Sequence, residues 1–403
     1  MDNAMDGGRL RRVPLGRNPT GQALILVALS LIALGVVMVA STVGGDRRPP
    51  SQTQADGAAA APAAEKPPRT VSWYYRRDIR QGIFAAAAAV ILLTLWRLDY
   101  TVFNRRLWLT WGLLAVALAG AVCVLVLGQA VGGRLRWLRY GPVGFQPSEV
   151  LKFAVLIALA VFLSRRGPEI RSFRRTFLPA IALVGVACGL VVTQDFGTAV
   201  IIALAAAALM WMAGVPLHHF WLPAGGGAAA FYLFVFRTPH RWERMLALAE
   251  PLTSTRPASY QPRQALISIA SGADPAGLGR GVAKYDYLPE DSTDFIFSPL
   301  CEELGVMGVV LVIGLLLIWL WLVRRAVMRS PDRFGSLLAG GLGFLIGLQA
   351  AMHIAVNVKW LPPTGISLPF ISAGGSGLLA MAAAAAMIVS VTARRPADLP
   401  ISE

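Results

Sequence analysis

Residues 285–323 read YDYLPEDSTDFIFSPLCEELGVMGVVLVIGLLLIWLWLV. The first half carries Asp286, Glu290, Asp291, Asp294, Glu302 and Glu303, the most acidic part of a chain whose net charge is +15. The second half is an apolar run long enough to cross a bilayer, for which about 20 residues suffice. Carboxylates gathered at the lip of such a run need a reason, because charge is costly at membrane depth.

The run is one of many. The chain is 56% hydrophobic and 15% charged over 403 residues, with a mean hydropathy of +0.59. Soluble domains are nearer a quarter charged. Ten candidate spans follow: 21–43, 81–98, 107–129, 147–164, 177–193, 197–214, 219–236, 298–323, 335–357 and 372–392. The fold expected is an all-α polytopic membrane protein with ten transmembrane helices.

Charge sets the orientation. With the N-terminus inside, the inner segments hold Arg9, Arg11, Arg12, Arg17, Arg97, Arg105, Arg106, Arg165, Arg166, Arg171, Arg174, Arg175, Arg324, Arg325, Arg329, Arg333, Arg394 and Arg395. The short outer segments hold only Arg134, Arg136, Arg139 and Lys359. Cations concentrate in cytoplasmic loops, and long loops weigh little in the comparison. Both termini are therefore placed inside and the acidic stretch outside. The basic balance does not indicate nucleic acid, since no Lys/Arg tract is interleaved with aromatics on a soluble face.

The organisation read from this pattern begins with a cytoplasmic tail, 1–20, and a first span, 21–43. Its flanking arginines resemble a signal-peptide n-region, but the apolar run exceeds the usual 7–15 residues. A retained signal anchor is expected, with cleavage near Ala40 as the alternative. Residues 44–72, rich in Ala and Pro, form a flexible extracytoplasmic linker. Residues 73–393 make the transmembrane core, with a large extracytoplasmic loop at 237–297 between helices 7 and 8, and 394–403 a cytoplasmic tail. A long ordered loop on one face is where function usually sits.

Cys123, Cys188 and Cys301 form no pair or zinc motif. His218, His219, His240 and His353 lack metal-ligand spacing and read as ordinary interfacial residues.

Four polar clusters stand out. In the first, Arg136-Trp137 precedes Gln146-Pro147-Ser148-Glu149-Val150-Leu151-Lys152, and Pro147 suits a helix start. Glu149 and Lys152, three apart, share one helix face, as a functional pair or as a plain structural ion pair. In the second, Asp195 and Gly197 occupy a tight turn between spans five and six, where ordinary turn chemistry is the simpler reading. The third is the acidic stretch, preceded by Arg241, Arg244, Arg263, Arg280 and Lys284. Cations beside carboxylates suit an anionic substrate undergoing proton transfer. Phe295, Ile296 and Phe297 should hold Asp294 at the membrane boundary. The fourth is Leu361–Gly377, LPPTGISLPFISAGGSG, with Pro369, Gly374, Gly375 and Ser376. Prolines and glycines at membrane depth imply a non-helical segment lining a cavity.

Taken together and in order, GxxRW…FQPSExLK, DFGT, YLPExxTDFIF…EELG and LPxTGIxLPFISxGGS resemble the shape, elongation, division and sporulation family, whose members include FtsW and RodA. The resemblance covers nearly everything beyond residue 80. It implies ten spans with both termini inside, and polymerisation of lipid II into peptidoglycan glycan strands at the outer face of the bacterial cytoplasmic membrane. Asp294 matches the essential carboxylate, implying a general base on the acceptor 4-hydroxyl with inversion at the donor. Glu149 and Lys152 match the family's cavity pair. Arg241 and Arg244 are implied for the pyrophosphate. Arg136, Lys284, Glu290 and Ser376 are further substrate-binding candidates. Asp195, Gly197, Glu302, Glu303, Pro369, Gly374 and Gly375 are implied as support.

The chain departs from the pattern at Gln194, Ala373, Gly377 and Arg134-Leu135. Gln194-Asp195-Phe196-Gly197 leans toward the division branch. The implied partners are a class B penicillin-binding protein (a transpeptidase) and other divisome or elongasome membrane proteins. Asp291, Asp294, Glu302 and Glu303 could gather a divalent cation, although their spacing fits no metal motif. The competing readings are a lipid II flippase, which would need the cavity but no base, and a division scaffold.

Overall fold

A computed structural model of the chain describes residues 10–43, 77–131, 134–140, 143–251, 253, 256–281 and 292–396. Its helices are α1 (Pro19–Val43), α2 (Arg77–Leu95), α3 (Thr101–Arg105), α4 (Leu107–Leu127), α5 (Pro147–Ser164), α6 (Leu178–Val191), α7 (Phe196–Met212), α8 (Trp221–Phe231), α9 (Pro239–Ala249), α10 (Pro257–Ser271), α11 (Phe297–Met328), α12 (Arg333–Asn357) and α13 (Gly375–Thr392). Nine helical segments among the described residues are long and apolar enough to cross a membrane; α7, with 17 residues, is a shorter apolar helix. The chain is a helical, multi-pass membrane protein. In lipid only a helix satisfies every backbone group within one segment, which is why apolar length alone locates these elements.

The helices divide into centre and periphery. The span windows of α5, α12 and α13 are 72%, 67% and 72% buried, against 28% for α4 and 11% for Leu217–Phe236. Polar residues on the three central helices therefore face protein. Local chemistry sets several helix starts. Pro147 opens α5, where its missing N–H costs nothing. Asp195 caps α7 by accepting from the Thr198 amide at 3.1 Å, and Asp332 caps α12 by accepting from the Gly335 amide at 3.2 Å.

Helix α11 is broken at Gly305, whose φ of 62° and ψ of −153° lie outside helical space. A Cβ there would sit 3.0 Å from the Gly272 carbonyl oxygen, so glycine is required both for conformation and for space. Glu302 and Glu303 lie in the short piece before this break. The long apolar span follows it.

Short strands accompany the expected helices. Strands β1 (Leu10–Arg12), β2 (Gln129–Val131), β3 (Arg134–Tyr140), β4 (Val143–Phe145) and β5 (Arg394–Pro396) are also present. β2, β3 and β4 form an antiparallel meander between α4 and α5, and β1 pairs antiparallel with β5. Four of these strands have three residues and β3 has seven, too short a period to stand out beside long apolar runs.

The β1–β5 pair joins the first and last described segments, and Asn18 Nδ2 donates to Thr392 Oγ1 at 2.9 Å. Helix α13 then carries the chain about 27 Å, at 1.5 Å per residue, from Gly375 to this end of the bundle.

Within 237–297 the described residues form α9, α10 and a turn-rich segment that reaches residue 281. The apolar stretch Ala265–Ile269 lies on α10, where wholly buried Ala265 packs with Phe295, Val356 and Leu361. The linker 44–72, Lys284, Asp286, Glu290 and Asp291 lie outside the described residues. Two histidines contradict the interfacial expectation. His353 is wholly buried on α12, and His219 is buried against Phe173 and Phe177. Both rings are shielded by packing that hydropathy does not report.

Candidate functional site

Asp294 sits in a turn that enters α11, half-buried, while Phe295 and Ile296 behind it are 1% and 0% exposed. These two side chains anchor the turn in the apolar core. Its backbone is stitched to the segment before α13. Ser372 Oγ donates to the Thr293 carbonyl at 2.8 Å, and the Ala373 amide donates to the Ser292 carbonyl at 2.9 Å. Asn357 Nδ2, at the end of α12, donates to the Asp294 carbonyl at 3.4 Å.

Gly365 marks where the groups converge. A Cβ on this residue would lie 3.5 Å from Asp294 Oδ2 and 2.8 Å from Arg136 Nη1. Its φ is +77°, so backbone conformation and crowding both select glycine. Arg136, on β3, is fixed by Nε donating to the Gln194 carbonyl at 2.9 Å and by a 3.7 Å ion pair with Asp195.

Two further arginines reach in from α9. Arg241 Nη2 donates to the Thr193 carbonyl at 3.0 Å, and Arg244 Nη1 to the Pro363 carbonyl at 2.9 Å. Burial and the neighbouring Arg136 charge pull both guanidinium pKa values below the usual arginine range, while Asp294 pulls that of Arg244 back up. Arginine starts so high that both remain cations. Three mutually repelling guanidinium groups beside Asp195 and Asp294 make a site suited to a multiply charged anion.

Arg241 and Arg244 also border a half-open cleft of about 480 Å³, lined by Phe196, Phe231, Val235, Met245, Pro362 and Pro363. Thr364 lines it too, next to Gly365. One site therefore offers an apolar channel, a cationic rim and a carboxylate.

A second polar nest lies deeper. Lys152 Nζ donates at 2.7 Å both to Glu149 Oε2 and to Gln349 Oε1. Gln349 Nε2 donates to the Ser367 carbonyl at 2.8 Å. Gln146 links the two nests: its amide N–H donates to Ser376 Oγ at 3.2 Å, and its Nε2 reaches Asp195 Oδ2 at 3.5 Å. A Cβ at position 377 would lie 2.8 Å from Glu149 Oε2, so Gly377 leaves room for the carboxylate.

The remaining expected residues sort by place. Gly197 packs against Thr364 and Ile366, and Gly375 packs against the Phe84 ring. Gly374 precedes α13 as its cap, and Pro369 is buried beside Phe370, which has a φ of 65°. Glu302 and Glu303 point elsewhere. Glu302 Oε2 accepts from Ser268 Oγ at 2.9 Å, while Glu303 accepts from Ser41 Oγ at 2.7 Å and from the amides of Gly279 and Gly281 at 3.2 and 3.3 Å. They tie α1, α10 and the turn after it to the short first piece of α11. Among the described residues, no three His, Cys, Asp or Glu side chains gather to hold a metal.

The sequence singled out neither Gln349 nor Asn357, and gave His353 no role beyond an ordinary interfacial residue. They are buried at four-residue intervals along α12, and this spacing stacks them on one face. Gln349 holds Lys152, His353 Nδ1 lies 2.8 Å from the Ile366 carbonyl, and Asn357 holds the Asp294 backbone. A polar residue every fourth position inside an apolar run was the available signal.

Residues 69–396 match the family model of FtsW, RodA and SpoVE, described as a cell cycle protein. The chain belongs to this family. As a family member, it is similar to the probable peptidoglycan glycosyltransferase FtsW of Idiomarina loihiensis, with 33% identity over 92% of this chain and 87% of the relative. It is similar also to the stage V sporulation protein E of Bacillus subtilis, with 32% identity over 92% of this chain and 96% of the relative. A chain of a solved peptidoglycan synthase complex, studied for its coordination of polymerization and crosslinking, is 25% identical. It matches with a TM-score of 0.68 over 94% of this chain and 97% of that one. The rod shape determining protein RodA of Thermus thermophilus shares the fold, with a TM-score of 0.60 at 24% identity over 92% and 95% of the two chains.

Proposed function

We propose that this family member is a peptidoglycan glycosyltransferase that polymerises lipid II at the outer face of the cytoplasmic membrane, with Asp294 as general base. The observation that carries the reading is the half-buried Asp294 beside Arg136 and Arg244, at the rim of an apolar cleft. A lipid-linked pyrophosphate has the matching chemistry: a polyprenyl chain for the apolar walls and a multiply charged head for the guanidinium groups. Asp294 takes the proton of the acceptor sugar 4-hydroxyl. The oxygen attacks the anomeric carbon of the donor, the bond from that carbon to the pyrophosphate oxygen breaks, and undecaprenyl pyrophosphate leaves with inversion. Arg241 and Arg244 stabilise the charge that accumulates on the leaving group. Glu149, Lys152 and Ser376, in the deeper polar nest, serve substrate binding, and Asp195 and Gly197 hold the turn beside Arg136.

The topology that goes with this reading has ten spans, with α7 as the tenth and both termini inside. Pairing of β1 with β5 supports placing the termini on one side, and the arginine distribution supports that side being cytoplasmic. The family's FtsW relatives favour the division branch, and the synthase-complex neighbour supports a penicillin-binding-protein partner.

The test is polymerisation of purified lipid II by the full-length protein with a class B partner, comparing wild type with Asp294→Asn and Asp294→Ala. Loss of a positioned base costs about 10²–10⁴-fold in rate. Glycan strands that lengthen at wild-type rates in both variants would refute the assignment. Transbilayer movement of lipid II without polymer would replace it with a transporter.

A further inference from the structure

At the end of α5 remote from Asp294, a second cleft opens between α4 and α5. It is an open groove spanning about 630 Å³, part of it open to solvent, and is lined by Leu107, Trp111, Val161, Phe162, Arg165, Arg166 and Glu169. Helix α5 begins beside Gln146, which contacts Asp195 at the outer site. It ends at Ser164 after 18 residues, about 27 Å away at 1.5 Å per residue. The two clefts are thus separated by about one hydrocarbon thickness, which is close to 30 Å.

We propose that this cleft binds an anionic glycerophospholipid of the inner leaflet, with its phosphate on Arg165 and Arg166 and an acyl chain along Trp111 and Phe162. Three observations lead there. First, the cleft opens sideways. Helix α4 is only 28% buried, with Trp108 68% and Trp111 41% exposed, and tryptophan concentrates at the level of lipid headgroups.

Second, the charge is one-sided. Residues 101–111 and 161–175 contain seven arginines (Arg105, Arg106, Arg165, Arg166, Arg171, Arg174 and Arg175) and one carboxylate, Glu169. Glu169 lies 2.6 Å from Arg175 Nη1 and 3.4 Å from Arg166 Nη1. The Arg175 hydrogen bond leads in holding its carboxyl below the usual range, with Arg166 adding to it. This one anion orients two of the arginines and leaves the surface strongly positive.

Third, the two lining arginines are preset. The Arg166 guanidinium stacks over the Phe162 ring at 4.3 Å, and Arg165 Nε donates to Asn104 Oδ1 at 2.8 Å. Anchored guanidinium groups at the mouth of an apolar groove fit a phosphodiester with an acyl tail. A zwitterionic lipid offers the same phosphate but adds a cation that the arginines repel. A free phosphate leaves the apolar walls uncovered.

Native mass spectrometry of the full-length protein, titrated with phosphatidylglycerol or with phosphatidylcholine of identical chains, tests this. Removing one headgroup arginine should weaken anionic-lipid binding about fivefold. Arg166→Gln should show that loss, and Arg165→Gln with Arg166→Gln about 25-fold. Arg165→Lys with Arg166→Lys, which retains the charges, should lose less than the glutamine pair and report that the fold is intact. Arg174→Gln, outside the cleft, should lose clearly less than Arg166→Gln. Unchanged binding in the glutamine pair, an equal loss in Arg174→Gln, or equal affinity for the two lipids in wild type would each overturn the proposal.

Discussion

The Glu149–Lys152 pair offers the sharpest quantitative test of how the centre of the bundle is built. Lys152 is 1% exposed, and its ammonium lies 2.7 Å from both Glu149 Oε2 and Gln349 Oε1. Lys152→Met would leave a carboxylate that is 9% exposed without its cation, and Gln349 Oε1 without its donor. Stranding one partner of a buried ion pair costs ~3–5 kcal/mol, and the orphaned amide oxygen adds about 1–3 kcal/mol. Glu149→Gln strands the ammonium with a similar penalty. The double variant removes both charges from the low-dielectric interior together. A neutral pair of similar volume is often no worse than the ion pair, so the double variant should recover most of the loss. The coupling energy should be at least ~2 kcal/mol. Reversible unfolding in mixed micelles, run as a double-mutant cycle, measures it. Additive single losses, with coupling below about 0.5 kcal/mol, would show that the pair is not an energetic unit. Polymerisation by the double variant then separates roles: restored stability with activity still absent assigns the charges to substrate, whereas restoration of both assigns them to packing.

Three further outcomes follow from the geometry. Gly365→Ala places a methyl 2.8 Å from Arg136 Nη1 at a φ of +77°. Backbone strain of about 1–3 kcal/mol and displacement of the arginine should lower kcat/KM while the thermal transition stays cooperative; wild-type kinetics would show that Arg136 does not need its position. His353→Leu removes the ring nitrogen that meets the Ile366 carbonyl, leaving a buried acceptor at a cost of about 1–3 kcal/mol. His353→Asn can restore a donor there and should recover stability, and failure of that rescue would indicate that ring volume matters instead. Arg244→Lys keeps the charge but loses the planar fork, so in lipid II polymerisation KM should rise more than kcat falls; an unaltered KM would remove Arg244 from the headgroup site.

Much of this was legible before any coordinates. Apolar length located nine spans among the described residues and α7, because lipid leaves the backbone no alternative to the helix. Clustering of polar residues in an apolar chain pointed to Asp294, Arg136, Glu149, Lys152 and residues 361–377, since charge at membrane depth persists only with partners.

The sequence could not say which polar groups meet. Glu302 and Glu303 are eight and nine residues from Asp294, yet bond to Ser268 and Ser41. Arg136, more than 150 residues from Asp294, shares its corner at Gly365. His353 looked interfacial and is wholly enclosed. Hydropathy and periodicity report one element's preference for lipid or water, and that is local. The convergence of β3, α9, α12 and the loop before α13 on one carboxylate depends on which helix faces pack together. That choice is made by close-packed side chains distant in the chain, and the tertiary structure alone decides it.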